Sequence, residues 1–164
     1  MNKSFLIVLV FLGCIACGEK KTEDVKEDPA AGLVALKKLP KKVNASFGAT
    51  EILKDWTEYN ALNAAVNAVY TIDTKEDLIV VLEDLVEKQK LLEASAYPEV
   101  FDRADIKSRQ KVFKTKVLQV KFDLEYDKDP RKMVIELVKA YNAFNNQFSV
   151  VIKSTLKPEI LFDE

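Results

Sequence analysis

The sequence predicts an all-α protein, an up-down-up-down antiparallel four-helix bundle carried on a disordered N-terminal tether. Three observations carry that prediction. Apolar residues recur at spacings of three and four along four long segments, the period of one helix face. The β-branched residues obey the same spacing instead of alternating, and no Asn-Gly or Asp-Gly pair marks a hairpin. The segments are joined by short connections, which set consecutive helices side by side in opposite directions.

The first helix is expected from about Glu51 to Tyr70, with Ile52, Trp56, Tyr59, Leu62, Val66 and Val69 on its buried face. Asp73-Thr74-Lys75-Glu76 has the form of a capping box, an N-cap oxygen paired with a glutamate three residues on. It opens a second helix whose stripe is Leu78, Val81, Leu82, Leu85 and Leu92. Pro98 punctuates the next connection, and a third helix follows from about Arg103 to Tyr126 with Ile106, Phe113, Val117, Val120 and Leu124 in register. Asp129-Pro130 reads as a cap followed by a first-turn proline. The fourth helix then buries Val134, Leu137, Val138, Tyr141, Phe144, Phe148, Val151 and Ile152 and is closed by Pro158. Each helix is roughly 30–39 Å long at 1.5 Å per residue.

Each stripe is interrupted by an amide: Asn63, Gln89, Gln110 and Asn145. Counted from the turns, Gln89, Gln110 and Asn145 fall near one end of the bundle, so they are candidates for a single hydrogen-bonded polar core layer. Buried amides must find partners, and such a layer fixes helix register at a cost in stability. The same layer could instead line a pocket for a polar ligand.

Composition narrows the chemistry. With 164 residues, 48% of them hydrophobic and 31% charged, the chain fills one domain. Its 25 Lys plus Arg against 26 Asp plus Glu leave no basic excess, so nucleic acid is not an expected partner. The chain has no histidine, which removes the commonest general base and the Glu-x-x-His metal sites of helical bundles. Met133 stands beside a helix start, a poor place for a haem ligand. Asp123, Glu125, Asp127 and Asp129 alternate but lack the glycine of a calcium loop, and read as a solvated turn. No glycine-rich phosphate loop or nucleophile elbow is present. No cofactor, metal or catalytic residue is expected, and the protein reads as a non-enzyme.

Charge is unevenly distributed. The third helix carries Arg103, Lys107, Arg109, Lys111, Lys114, Lys116 and Lys121, whereas the second is acidic. Neighbouring helices can pair such charges across their edges, each exposed pair contributing at most about 1 kcal/mol. The functional reading is an interaction face of Lys107, Lys111, Lys114, Leu118, Lys121 and Phe122, suited to anionic lipid headgroups or an acidic partner.

The N-terminus supplies an address. Lys3 precedes the apolar run Phe5–Leu12, too short for a spanning helix, and small residues follow through Cys17 before polarity begins at Gly18-Glu19-Lys20-Lys21. That is the layout of a signal peptide over 1–16. Ile15-Ala16-Cys17 resembles the lipobox of a bacterial lipoprotein, and Gly-Glu-Lys-Lys-Thr-Glu-Asp after it resembles the start of mature lipoproteins of the Bacteroidota. The resemblance covers about the first 25 residues. It implies cleavage before a lipid-modified Cys17 and an anchor in the outer membrane, facing the periplasm or the surface. Cys14, after Leu12-Gly13, offers a second frame, but the apolar run ends at Cys17. Residues 17–45 then form a tether, polar from Glu19 to Asp28 and holding a short apolar helix around Leu33, Val34, Leu36 and Leu39, ahead of a bundle over 46–164.

The function these observations support is a lipid-anchored cell-envelope protein acting as a non-catalytic interaction or structural module. Its partners are the membrane, reached through the lipid, and another envelope protein or anionic headgroups. The alternative is a carrier that holds a small molecule or lipid between the helices. The lipobox frame is tested directly: Cys17→Ser should abolish labelling by a palmitate analogue and release a soluble body, while Cys14→Ser should retain both label and anchor. Label persisting in Cys17→Ser would overturn the frame.

Overall fold

The computed structural model describes Leu36 and residues 38–155. The signal peptide, Cys14, Cys17, the polar linker, Leu33, Val34 and Pro158 lie outside the described residues. Within them the chain is all-helical and contains no strand. Five α-helices are present: α1 Phe47–Leu53, α2 Thr57–Ala68, α3 Lys75–Ala94, α4 Ala104–Glu125 and α5 Arg131–Thr155. Single 3-10 turns, Val69–Thr71 and Glu99–Phe101, follow α2 and α3.

The extra helix arises where the sequence predicts one continuous element from 51 to 70. The chain breaks after Leu53, although neither glycine nor proline stands there, because Trp56 adopts extended backbone and turns its ring into the core. Its indole N–H donates to Ser95 Oγ at 2.9 Å, and its ring lies 4.7 Å from that of Tyr97. Asn60 Nδ2 donates to the carbonyls of Leu53 and Lys54 at 3.1 and 2.9 Å, satisfying the end of α1. A tertiary anchor thus overrides a local pattern that reads as helix throughout.

Caps define the remaining boundaries. The capping box at α3 sits one residue later than the sequence predicts: Thr74 is the N-cap, its hydroxyl accepting from Asp77 N–H at 3.0 Å. Asp77 in turn accepts from Thr74 N–H at 3.1 Å, and these bonds hold its carboxyl below the usual range. Asp129 opens α5 as expected, accepting from Arg131 N–H at 3.0 Å. Between α4 and α5 the chain reverses through Asp127, whose φ of 51° places a non-glycine residue in the left-handed region.

Packing follows the chain order. α2 lies against α3, α3 against α4, α4 against α5, and α1 rests on α5. Ion pairs Lys114–Glu93 and Lys75–Asp127 join opposite ends of α3 and α4, so these two run in opposite directions. Gln147–Asp105 and the Phe113–Tyr141 ring contact set α4 against α5 in the same way. The stripes read from the sequence are buried, with Ile52, Val81 and Ile152 at the partly covered margins. Phe101, in the 3-10 turn after α3, is fully buried as well.

The short helix expected around Leu33, Val34, Leu36 and Leu39 lies mostly outside the described residues, and no α-helix forms from residue 38 to residue 45. Leu36 is buried, Leu39 N–H closes one turn on Leu36 O at 3.1 Å, and the chain then runs to Ser46 without helical bonding. The helical body therefore takes in part of the stretch expected to be tether.

Phe148 is the hub of the core. Its ring is fully buried and meets Phe101 at 4.8 Å, Phe144 at 4.9 Å, Tyr59 at 5.4 Å and Trp56 at 6.3 Å. Phe148→Ala should lower unfolding free energy by about 3–5 kcal/mol, read from urea denaturation, because it removes contacts from three directions at once. A loss below about 1 kcal/mol would mean that the surrounding rings collapse into the gap.

Candidate functional site

Three regions concentrate chemistry: a backbone strap on α5, the outward face of α4, and a recess beside the start of α4.

The strap is the segment from Pro40 to Ser46. A chain without its own secondary structure leaves backbone groups that need partners, and α5 supplies them from one stripe of side chains. Asn142 Oδ1 accepts from Val43 N–H at 2.9 Å, and Asn142 Nδ2 donates to Lys41 O at 2.9 Å. Asn145 Nδ2 donates to Val43 O, and Ser149 Oγ accepts from Ser46 N–H at 2.8 Å. On the other side Lys42 Nζ donates to Asn63 O at 3.0 Å and Asn67 Oδ1 at 2.6 Å, and Tyr70 Oη donates to Pro40 O at 2.9 Å. Partial burial pushes the Lys42 ammonium below its ordinary pKa. Inside, Tyr59 Oη donates to Asn145 Oδ1 and Tyr141 Oη to Asn63 Oδ1 at 2.6 Å. Burial raises both phenols, that of Tyr59 to about 12, so each remains a neutral donor across the physiological range.

The amide layer predicted from helix ends is not one layer. Gln89, Gln110 and Asn145 are all buried, while Asn63 is partly exposed. Asn145 bonds to Tyr59 and the strap, Gln110 Oε1 accepts from Tyr97 Oη, and Gln89 has no side-chain partner. Register explains the separation. Glu93 lies opposite Lys114, so Gln89 and Gln110, each four residues nearer its own helix start, diverge by about 12 Å along antiparallel axes.

The six residues expected to form one face of α4 lie within about 100° of arc on that helix, and their contacts differ across it. Lys107 and Lys114 turn toward the α3 side, where they pair with Asp102 and Glu93. Lys107 also lies 5.1 Å from the Tyr97 ring centroid. Lys121 lines an apolar groove with Ile79, Leu82 and Leu124. Leu118 and Phe122 point outward, each 46% exposed, and are joined by Tyr126 at 61%. The Phe122 and Tyr126 rings lie 4.3 Å apart, with Lys128 Nζ 4.8 Å from the Phe122 ring centroid. Tyr126 was legible as the next residue of the same i, i+4 series and is absent from the sequence-derived face. The described part of the N-terminal segment packs on α2 and α5 and leaves this face open.

The recess, about 330 Å³, opens between the end of α3, residues 95–97, Asp102 and the first turns of α4. It is lined by Glu93, Ser95, Tyr97, Lys107, Gln110 and Lys111 among others. Ser95 and Tyr97 stand in an irregular connection, where no periodicity identifies them.

Among the described residues no three of Asp, Glu, Cys or His come together as a metal site, and Asp127 and Asp129 are engaged by Lys75 and Arg131. No described helix is long and apolar enough to cross a membrane. No protein-family model matches the chain, and no curated protein or solved structure matches it.

The buried amides should respond oppositely to the same substitution. Gln89→Leu should stabilise by about 1 kcal/mol, since it removes an unpaired buried amide at nearly constant volume. Asn145→Leu should destabilise by about 1–3 kcal/mol, since Val43 O and Tyr59 Oη lose their partner. Urea midpoints measure both, and shifts of the same sign would show that hydrogen bonding does not govern these positions.

Proposed function

We propose that the protein is a lipid-anchored envelope protein whose body, an up-down-up-down bundle of α2–α5 with α1 laid on α5, acts by docking on a membrane surface and not by catalysis. The observation that carries this reading is the Leu118, Phe122 and Tyr126 stripe, large apolar side chains exposed together on the outer face of α4. Such a stripe, bordered by Lys121 and Lys128, suits partial burial among acyl chains with ammonium groups held at headgroup level.

Geometry adds support. The strap reaches the body at Pro40, bonded to Tyr70 just after α2, and Lys75–Asp127 ties the adjoining start of α3 to the turn after α4. The apolar stripe and the N-terminal chain therefore share one end of the body. The polar linker that the sequence leads one to expect from Glu19 to Asp28 would span roughly 15–20 Å on average, enough to let that end rest on the bilayer holding the anchor. A single weak protein surface gains effective concentration when a lipid already tethers it.

The test uses the full chain carrying Cys17→Ser, so that binding reports the face alone. Sedimentation with vesicles containing phosphatidylglycerol should fall at least about fivefold on Leu118→Ser plus Phe122→Ser, with melting nearly unchanged because both side chains are exposed. Equal sedimentation of parent and variant would overturn membrane docking and leave the stripe to a protein partner.

A further inference from the structure

We infer that the seam between α2 and α5 is a binding groove for an extended, lysine-bearing polypeptide segment of a partner, with the strap as its resident occupant. The site is separate from the membrane-docking stripe. The first observation is how little else closes this seam. α2 packs on α3, and α5 packs on α4 and α1, but α2 and α5 are not among the closely packed helix pairs. Tyr59 to Asn145 and Tyr141 to Asn63 bridge the gap with long side chains. The strap bonds to both helices across it.

The second observation is which part of the strap is held. The groove bonds Pro40 O, Lys41 O, both backbone groups of Val43 and the Ser46 N–H. These groups are common to almost every residue, and side-chain amides meet them much as a sheet edge meets an added strand. Lys41, Val43 and Asn44 are exposed, and no side chain from residue 38 to residue 48 is buried. The groove's amides therefore require an occupant, but these bonds do not select one sequence. A segment held with so few buried apolar contacts opens well before the whole body unfolds.

The third observation supplies selectivity. Lys42 Nζ donates to Asn63 O and Asn67 Oδ1 and lies 5.6 Å from the Tyr141 ring centroid. It makes no ion pair among the described residues, so uncharged acceptors and a ring face hold the ammonium. The matching partner is an extended segment with one lysine, flanked by residues free to face water. Because the strap is covalently attached, it competes at a high effective concentration. A free peptide gains entry when the strap is loosened.

The probe is a labelled peptide of residues 38–47, capped at both ends and followed by fluorescence anisotropy. It is titrated with the full chain carrying Cys17→Ser, with and without Lys42→Ala plus Tyr70→Phe. These two changes remove tethers of the strap at partly exposed positions and should leave the helical circular dichroism unchanged. The loosened chain should bind with Kd about 0.1 mM or tighter, and the parent at least about tenfold more weakly. N-methylation of the peptide at Val43 deletes the N–H that Asn142 accepts and should weaken binding at least about tenfold. Lys42→Ala in the peptide should weaken it at least about fivefold, while Asn44→Ser should leave it unchanged. In the parent chain, amide exchange of Val43 and Ser46 should be at least about tenfold faster than that of Val117 and Val120 in the core of α4. Exchange of all four amides at one rate, no saturable binding up to about 1 mM, equal binding to both chains, or equal binding of the N-methylated peptide would each overturn the inference.

Discussion

The structure depends most on how α5 handles a neighbour that has no secondary structure of its own. The strap from Pro40 to Ser46 brings backbone donors and acceptors against a helix, and a helix surface has no free backbone groups to return. Asn142, Asn145 and Ser149 solve this by lending side-chain amides and a hydroxyl at i, i+3 and i+7, one stripe of α5. Asn145 does more than hold the strap. Its Oδ1 takes the Tyr59 hydroxyl, so one buried amide joins the strap, α2 and α5. Bonds formed away from water are worth more than surface ones, and leaving any member unpaired carries the full desolvation cost. The strap's position is thereby fixed, and with it the point where the N-terminal chain reaches the body.

Helix class and core were legible because they rest on a short-range signal. Leu62, Leu82, Phe113, Val120, Leu137 and Phe144 fall on period and are fully buried. What escaped the sequence is long-range. Nothing near Leu53 announces a helix end, since the break is made by Trp56 reaching Ser95, 39 residues on. The strap escaped for the same reason: Val43 and Ser46 are ordinary residues whose partners lie about a hundred positions away. The amide layer failed through arithmetic on helix ends. Burial of Gln89, Gln110 and Asn145 follows from their place on the stripes, but their partners follow from register, which Lys114–Glu93 sets and spacing alone does not. On α4, charge counting gathered Lys107, Lys111, Lys114 and Lys121 into one face, and 100° per residue keeps them within one arc; what it does not reveal is that Lys107 and Lys114 spend their charge on Asp102 and Glu93.

Among the described ion pairs, most join exposed groups close in sequence or at adjoining helix edges and contribute little to stability. They matter more for what they remove from the surface. Lys107 and Lys114 of α4 each have an acidic partner, whereas Arg109, Lys111, Lys116 and Lys121 make no ion pair among the described residues, so the basic appearance of α4 in the sequence is only partly neutralised in the fold. Lys111 beside the recess and the uncovered ring of Phe122 are among the groups on α4 whose chemistry the fold itself does not use.

These two unused features lie toward opposite ends of α4, a helix of 22 residues and hence about 33 Å long. The Phe122 end adjoins the turn tied to α3 by Lys75–Asp127, near where the strap enters at Pro40. The Lys111 end adjoins the 95–102 connection, where Trp56 and Ser95 fasten the start of α2 to the end of α3. If a lipid holds the first end at the bilayer, the recess is carried away from it and opens toward the aqueous phase. Docking by Leu118, Phe122 and Tyr126 would not occlude it, because those side chains and the recess occupy different turns of the helix. The rigid link between them is α4, clamped on one flank by α5 and on the other by α3. One helix can therefore serve both surfaces independently, and a change at either end need not disturb the other.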